Sequence, residues 1–145
     1  MSIYQVFDKC PTPANGHMIA AHVKKNATNF DANKSFFTDT TGAEIDTIAA
    51  LQLLAKAKDT AANLSATKRD QHKSIVALPK EVCRITADDK YLGFAVTWGD
   101  QVGTDRYGAA CKWVCLFVTK KMESGRHQWV SAYPATDTYV AGKRF

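Results

Sequence analysis

The sequence predicts an α+β fold in which N-terminal helices pack on a curved antiparallel sheet. Three observations predict it. Apolar residues at helical spacing, with Ile45, Ile48, Leu51 and Leu54 as the clearest run, fall in the first half of the chain. Strand-like runs rich in β-branched and aromatic residues fall in the second half. Nowhere do strand and helix alternate as a parallel sheet requires. At 145 residues the chain reads as one domain, residues 1–145, with length enough for a real core. An apolar content of 46% and a charged content of 23% suit a globular protein and argue against disorder.

Residues 1–9 mix polar and apolar types and predict a short strand or an arm. Cys10-Pro11-Thr12-Pro13-Ala14-Asn15-Gly16 is a breaker segment with two prolines and an Asn-Gly pair. It leads into a helix expected over 17–26, a polar loop over 26–34 and a short strand over 34–39. Thr41-Gly42-Ala43-Glu44 has the form of a capping box, which predicts a helix over 42–57. Polar residues extend that helix, or form a second one, to about 72. His72 sits there in a charged run that reads as solvated surface.

The second half reads as strands. Ser74-Ile75-Val76-Ala77-Leu78 predicts one, ended by Pro79, and residues 81–86 and 91–98 predict two more. Residues 99–108 hold three glycines and predict a long mobile loop. Residues 112–119 are the strongest strand in the chain. A turn over 122–126 then leads into a return strand over 126–133, closed by Pro134.

The formal net charge of +5 fits a polyanionic partner such as RNA, or an acidic protein. No apolar run approaches the roughly 18 residues of a membrane span. The N-terminus lacks the basic-then-apolar layout of a signal peptide, so the chain is expected to be either cytoplasmic or a fragment of something delivered by another route. Cys111 and Cys115, four apart on a strand, are too distant to pair with each other. Disulfides from Cys10 or Cys83 to these two, and buried apolar thiols, are both open readings. Zinc-ligand spacing is absent. So are the phosphate-binding glycine loops and the Gly-x-Ser-x-Gly elbow, which removes the commonest motif-bearing enzyme classes.

Two clusters remain that can carry chemistry. Gly16-His17-Met18-Ile19-Ala20-Ala21-His22-Val23-Lys24-Lys25 places two imidazoles in a helix-prone stretch. Histidine exchanges protons near neutral pH, and His17 and His22 lie on different sides of a helix, so either can face a cleft. On the return strand, a period of two places His127, Trp129, Ser131 and Tyr133 on one face. Ser131 and Tyr133, supported by Trp129, offer a hydroxyl and a phenol side by side. His127 is about 20 Å along the strand from Tyr133 and is not expected in the same site.

The order of these motifs resembles the RNase A-like toxin domain of bacterial contact-dependent growth inhibition proteins. The matching residues are Gly16-His17-Met18-Ile19-Ala20-Ala21-His22-Val23, Phe37-Thr38-Asp39 and Ser131-Ala132-Tyr133-Pro134. EndoU-like toxins share a similar logic of histidines with a C-terminal Ser/Thr-x-Tyr. The resemblance implies an RNase A-like fold and a toxin that cleaves RNA, tRNA among the options, without metal or other cofactor. Cleavage would proceed by attack of the ribose 2′-hydroxyl on the adjacent phosphate. It implies His22 as acid/base group, with His17 as the alternative, and Ser131 and Tyr133 as groups that bind the phosphate, Tyr133 also stacking on a base. The family's cationic position falls near Ala32. Lys34 is the nearest substitute, with Lys24 and Arg106 as further candidates and Trp129 beside them in substrate binding. Val23-Lys24 also departs from the family's Val-Gly. The resemblance further implies an acidic immunity protein as partner and action in the cytoplasm of a target bacterial cell. The competing readings are a non-enzymatic basic module that binds RNA or protein, and an effector with another activity on the same scaffold.

Overall fold

A computed structural model of the protein describes residues 21–26, 30–62 and 81–144. The fold is α+β, with antiparallel sheets and few helices. A four-stranded sheet has the order β2-β3-β6-β7, built from β2 (Glu81–Ile85), β3 (Tyr91–Thr97), β6 (Trp113–Thr119) and β7 (Trp129–Ala135). A three-stranded sheet of two-residue strands has the order β1-β4-β5, from β1 (Phe36–Phe37), β4 (Gly103–Thr104) and β5 (Ala110–Cys111). Among the described residues the helices are α1 (Thr47–Ala62) and α2 (Asp137–Ala141), with Ala21 and His22 also helical. The expected arm over 1–9, His17, His72, Cys10 and the strand at 74–78 lie outside the described residues.

Alternation along the strands divides the core in two. Phe94, Val96, Val114, Leu116, Val118 and Ala132 face α1, where they bury against Ala50, Leu54 and Ala57. Ala95, Trp113, Cys115 and Ala135 face the other way and bury with Ile85 and with Val140 of α2.

Four expectations are corrected here. Helix α1 starts at Thr47, not near 42, because the capping box does not form. The Asp39 carboxylate instead accepts from Thr41 N (2.8 Å), Thr41 Oγ1 (2.6 Å) and Ala43 N (3.0 Å). Thr38 and Glu44 form an antiparallel bridge across that turn, with Gly42 at φ 87°. Asp46 caps the helix, accepting from Ala49 N at 2.9 Å. The buried stripe is accordingly Ala50-Leu54-Ala57, and Ile48 is 70% exposed.

The second correction is at residues 99–108, which hold β4 rather than only a long loop. Gly103 pairs with both Phe37 and Cys111. A Cβ on Gly103 would overlap Pro134 and come within 2.8 Å of the Phe36 carbonyl oxygen, so only glycine lets this strand sit against β7. The third is at Pro134, which does not stop β7 but lies within it, opposite Val114. β7 is the edge of its sheet, where a missing N–H costs no ladder bond.

The fourth concerns register. Phe117 pairs with Ser131 but Val118 pairs with Trp129, leaving Val130 as the extra residue of a bulge. The bulge breaks the period of two. Trp129 therefore packs against the α1-side core with Val118 and Ala132 and does not share a face with Ser131 and Tyr133.

The three described cysteines are free, so no disulfide joins Cys83 to Cys111 or Cys115. Burial pushes all three thiols up, Cys111 to about 12 with help from Asp105. They behave as apolar fillers and not as nucleophiles.

Candidate active site

A cleft of about 900 Å³ opens on the α2 side of the sheet. β7 forms its floor with Ser131, Tyr133, Pro134 and Ala135. The stretch from Thr136 to Tyr139 forms one wall, and the turn at residues 33–35 carries Lys34 and stands with His22 on another. The hairpin between β4 and β5 closes the rim with Asp105, Arg106 and Tyr107. Residues from early, middle and late in the chain thus meet at one place.

Ala21 and His22 are helical, and Lys24–Asn26 continues as a 3₁₀ turn. Val23 is fully buried in the α1-side core, which anchors this segment. His22 is 5% exposed and lines the cleft. Its Nδ1 lies 2.8 Å from the Ser35 carbonyl oxygen. A carbonyl only accepts, so Nδ1 carries the hydrogen and Nε2 is the nitrogen that takes up a proton. The imidazole lies 5.4 Å from the Tyr133 ring, centroid to centroid.

Tyr133 stacks on Phe117 at 5.5 Å and meets Tyr139 edge-on at 5.9 Å. The two phenol oxygens are 2.5 Å apart. Burial first, then the neighbouring Cys115 and Tyr139, raises the Tyr133 pKa well above the ordinary tyrosine value of 10.0. Tyr133 therefore acts as a neutral hydroxyl. One hydrogen of the tyrosine pair bridges the two oxygens, and the second is left for another acceptor.

Tyr139 is held by α2. Thr136 is the N-cap, its hydroxyl accepting from Tyr139 N at 3.2 Å. Asp137 accepts from the Trp113 indole at 2.6 Å, tying the helix to β6. Lys143 stands 5.3 Å over the Tyr139 ring.

Two cations, Lys34 and Arg106, and two carboxylates, Asp105 and Asp137, line the cleft. Both carboxylates accept internal hydrogen bonds: Asp137 from Trp113, Asp105 from Tyr107 N (2.9 Å) and Ala109 N (2.8 Å). Among the described residues, neither Lys34 nor Arg106 forms a salt bridge. Arg106 instead donates to the Tyr107 hydroxyl.

Of the residues expected from sequence, His22, Ser131, Tyr133 and Lys34 come together here, and Arg106 joins them. Lys24 does not line the cleft. It pairs with Glu44 at 3.5 Å and lies 4.7 Å over the Phe36 ring. Trp129 is half-buried against the α1-side core, and His17 is not among the described residues. His127 is fully buried with Nδ1 2.7 Å from the Thr119 carbonyl oxygen, away from the cleft. Tyr107, Tyr139, Thr136 and Thr138 line the cleft without having been singled out. The Thr136-Asp137 pair carries a helix-start signal, and Asp105 followed by Gly108 carries a turn signal.

Among the described residues, no group of three or more His, Cys, Asp or Glu is placed to hold a metal ion. No described helix is long and apolar enough to cross a membrane. No family model, curated protein or solved structure matches the chain.

Proposed function

We propose that the protein is a ribonuclease toxin that needs no metal, cutting RNA by attack of a ribose 2′-hydroxyl on the adjacent phosphate. The observation that carries this reading is the meeting of His22, Tyr133, Ser131 and Lys34 in one cleft. The reaction makes three demands: a base for the 2′ proton, positive charge or donors for the phosphorane oxygens, and a proton for the leaving 5′-oxygen. His22 Nε2 takes the 2′ proton, its tautomer held by the Ser35 carbonyl. Lys34 offsets the phosphate charge, and the Ser131 and Tyr133 hydroxyls donate to its oxygens. The 2′-oxygen–phosphorus bond forms as the phosphorus–5′-oxygen bond breaks. The products are a 2′,3′-cyclic phosphate and a 5′-hydroxyl, whose proton is drawn from the hydroxyl cluster; His22 then gives its proton to solvent, which resupplies the cluster.

The same reading extends the resemblance to an RNase A-like toxin domain of contact-dependent growth inhibition. The protein would act in the cytoplasm of a target bacterium, and an acidic immunity protein would neutralise it by covering the cleft mouth at Lys34 and Arg106.

Incubation of the pure chain with tRNA in EDTA, read on a denaturing gel, tests the reading. Cleavage that His22→Ala abolishes is the expected result. No cleavage, or cleavage that needs metal, overturns it; full activity in His22→Ala moves the base to His17. Expression in bacteria should arrest growth, whereas a binding module would be tolerated.

A further inference from the structure

The tip of the β4–β5 hairpin exposes an aromatic ring beside the cleft. Tyr107 is 77% exposed, and Tyr139, another of the exposed large apolar side chains among the described residues, stands on the same cleft. Isolated exposed apolar residues are ordinary, but two rings at the mouth of one cleft are a surface that fits a flat ligand.

The tip is braced rather than loose. Asp105 N donates to the Ala109 carbonyl at 2.9 Å and Gly108 N to the Asp105 carbonyl at 3.1 Å. The Asp105 carboxylate holds two further backbone N–H groups from inside the turn. Gly108, at φ 83°, closes it in the left-handed region. The Arg106 guanidinium lies 4.6 Å over the Tyr107 ring, and its Nη2 donates to the Tyr107 hydroxyl. One ring face is thus covered by a cation, while the high exposure leaves the other open.

We infer that Arg106 and Tyr107 form a subsite for an unpaired nucleotide next to the scissile phosphate. This inference rests on the ribonuclease reading of the cleft. Tyr107 stacks on the base, and Arg106, already seated on the same ring, pairs with a flanking phosphate. A base inside a duplex has both faces occupied and cannot stack on a side chain. The subsite therefore selects single-stranded segments or loops over paired RNA.

The test separates this subsite from catalysis by measuring binding alone. The probe is a short single-stranded RNA with 2′-fluoro riboses, which lack the attacking hydroxyl, and the same strand annealed to its complement. Fluorescence anisotropy with the full chain should show the single strand bound more tightly than the duplex. Tyr107→Ala should weaken single-strand binding about tenfold, and Tyr107→Trp should preserve it. Arg106→Gln should weaken binding and flatten its salt dependence. Equal affinity for both probes, no binding of either, or an unchanged Tyr107→Ala overturns the subsite. If ordinary RNA is still cleaved in EDTA in that case, the ribonuclease reading stands without it. If Tyr107-dependent binding is seen without cleavage, the subsite stands and the ribonuclease reading falls.

Discussion

The two faces of the four-stranded sheet are made by the same strands and serve opposite ends. Toward α1, alternate residues of β3, β6 and β7 are apolar and sealed by a sixteen-residue helix. Toward α2, the alternate residues include Cys115, Phe117, Ser131 and Tyr133, and the covering helix has only five residues. A short helix cannot close that face, so Ser131 and Tyr133 stay half-buried and border a cleft. The difference teaches that in this fold the length of the covering helix decides which face is sealed as core and which stays open as a cleft.

That contrast can be broken most sharply at His22. His22→Ala should reduce RNA cleavage by about 10²–10⁴-fold per folded molecule, read as initial rate at neutral pH, with a loss of roughly 1–3 kcal/mol in denaturant unfolding because the Ser35 carbonyl loses its donor. A large loss of stability with unchanged rate per folded molecule would reverse the assignment of faces. Leu54→Ala, on the sealed side, should cost roughly 2–5 kcal/mol in denaturant unfolding and leave the rate per folded molecule unchanged. Tyr133→Phe should slow cleavage by about tenfold while shifting the melting temperature only slightly, since one hydrogen bond is worth about 1 kcal/mol. The same variant sharpens a pH effect. Because burial raises the Tyr133 pKa, its neutral form stabilises the fold below the unfolded value of 10.0, and that contribution fades as pH climbs above it. Tyr133→Phe should thus melt less steeply with rising alkalinity than the parent chain.

The smallest effect belongs to Asp39, in the exposed turn that follows β1. Hydrogen bonds from Thr41 lower its pKa below 3.8, so its stabilisation is present above that value and is lost as pH falls through the folded value. Asp39→Asn should melt slightly below the parent at neutral pH, and the gap should vanish in acid.

The long strands were readable because alternation is local: residues 81–86, 91–98 and 112–119 became β2, β3 and β6 with ends shifted by a residue or so. The errors arose where a distant or competing contact decides. Thr41 and Glu44 have capping-box spacing, yet Asp39 captures the Thr41 donors first. The bulge at Val130 turns Trp129 toward the α1-side core, and no local pattern announces one unpaired residue. β4 depends on Gly103 lying against Pro134, thirty-one positions later, which a reading of neighbours cannot see. At the site, His22, Ser131, Tyr133 and Lys34 were legible from residue type and motif order. Tyr139 and Tyr107 were not, because an ordinary tyrosine in an unread tail or turn becomes noteworthy only once a cleft lies beside it.

Pro134 has a consequence for how other proteins approach. One residue before the end of the outer strand β7 it leaves a gap in the row of main-chain donors, and Gly103 packs directly onto it. A foreign strand cannot zip onto that border, which guards the chain against sheet-to-sheet clumping. A partner that approaches along β7 therefore grips this border through side chains rather than by adding a strand to it.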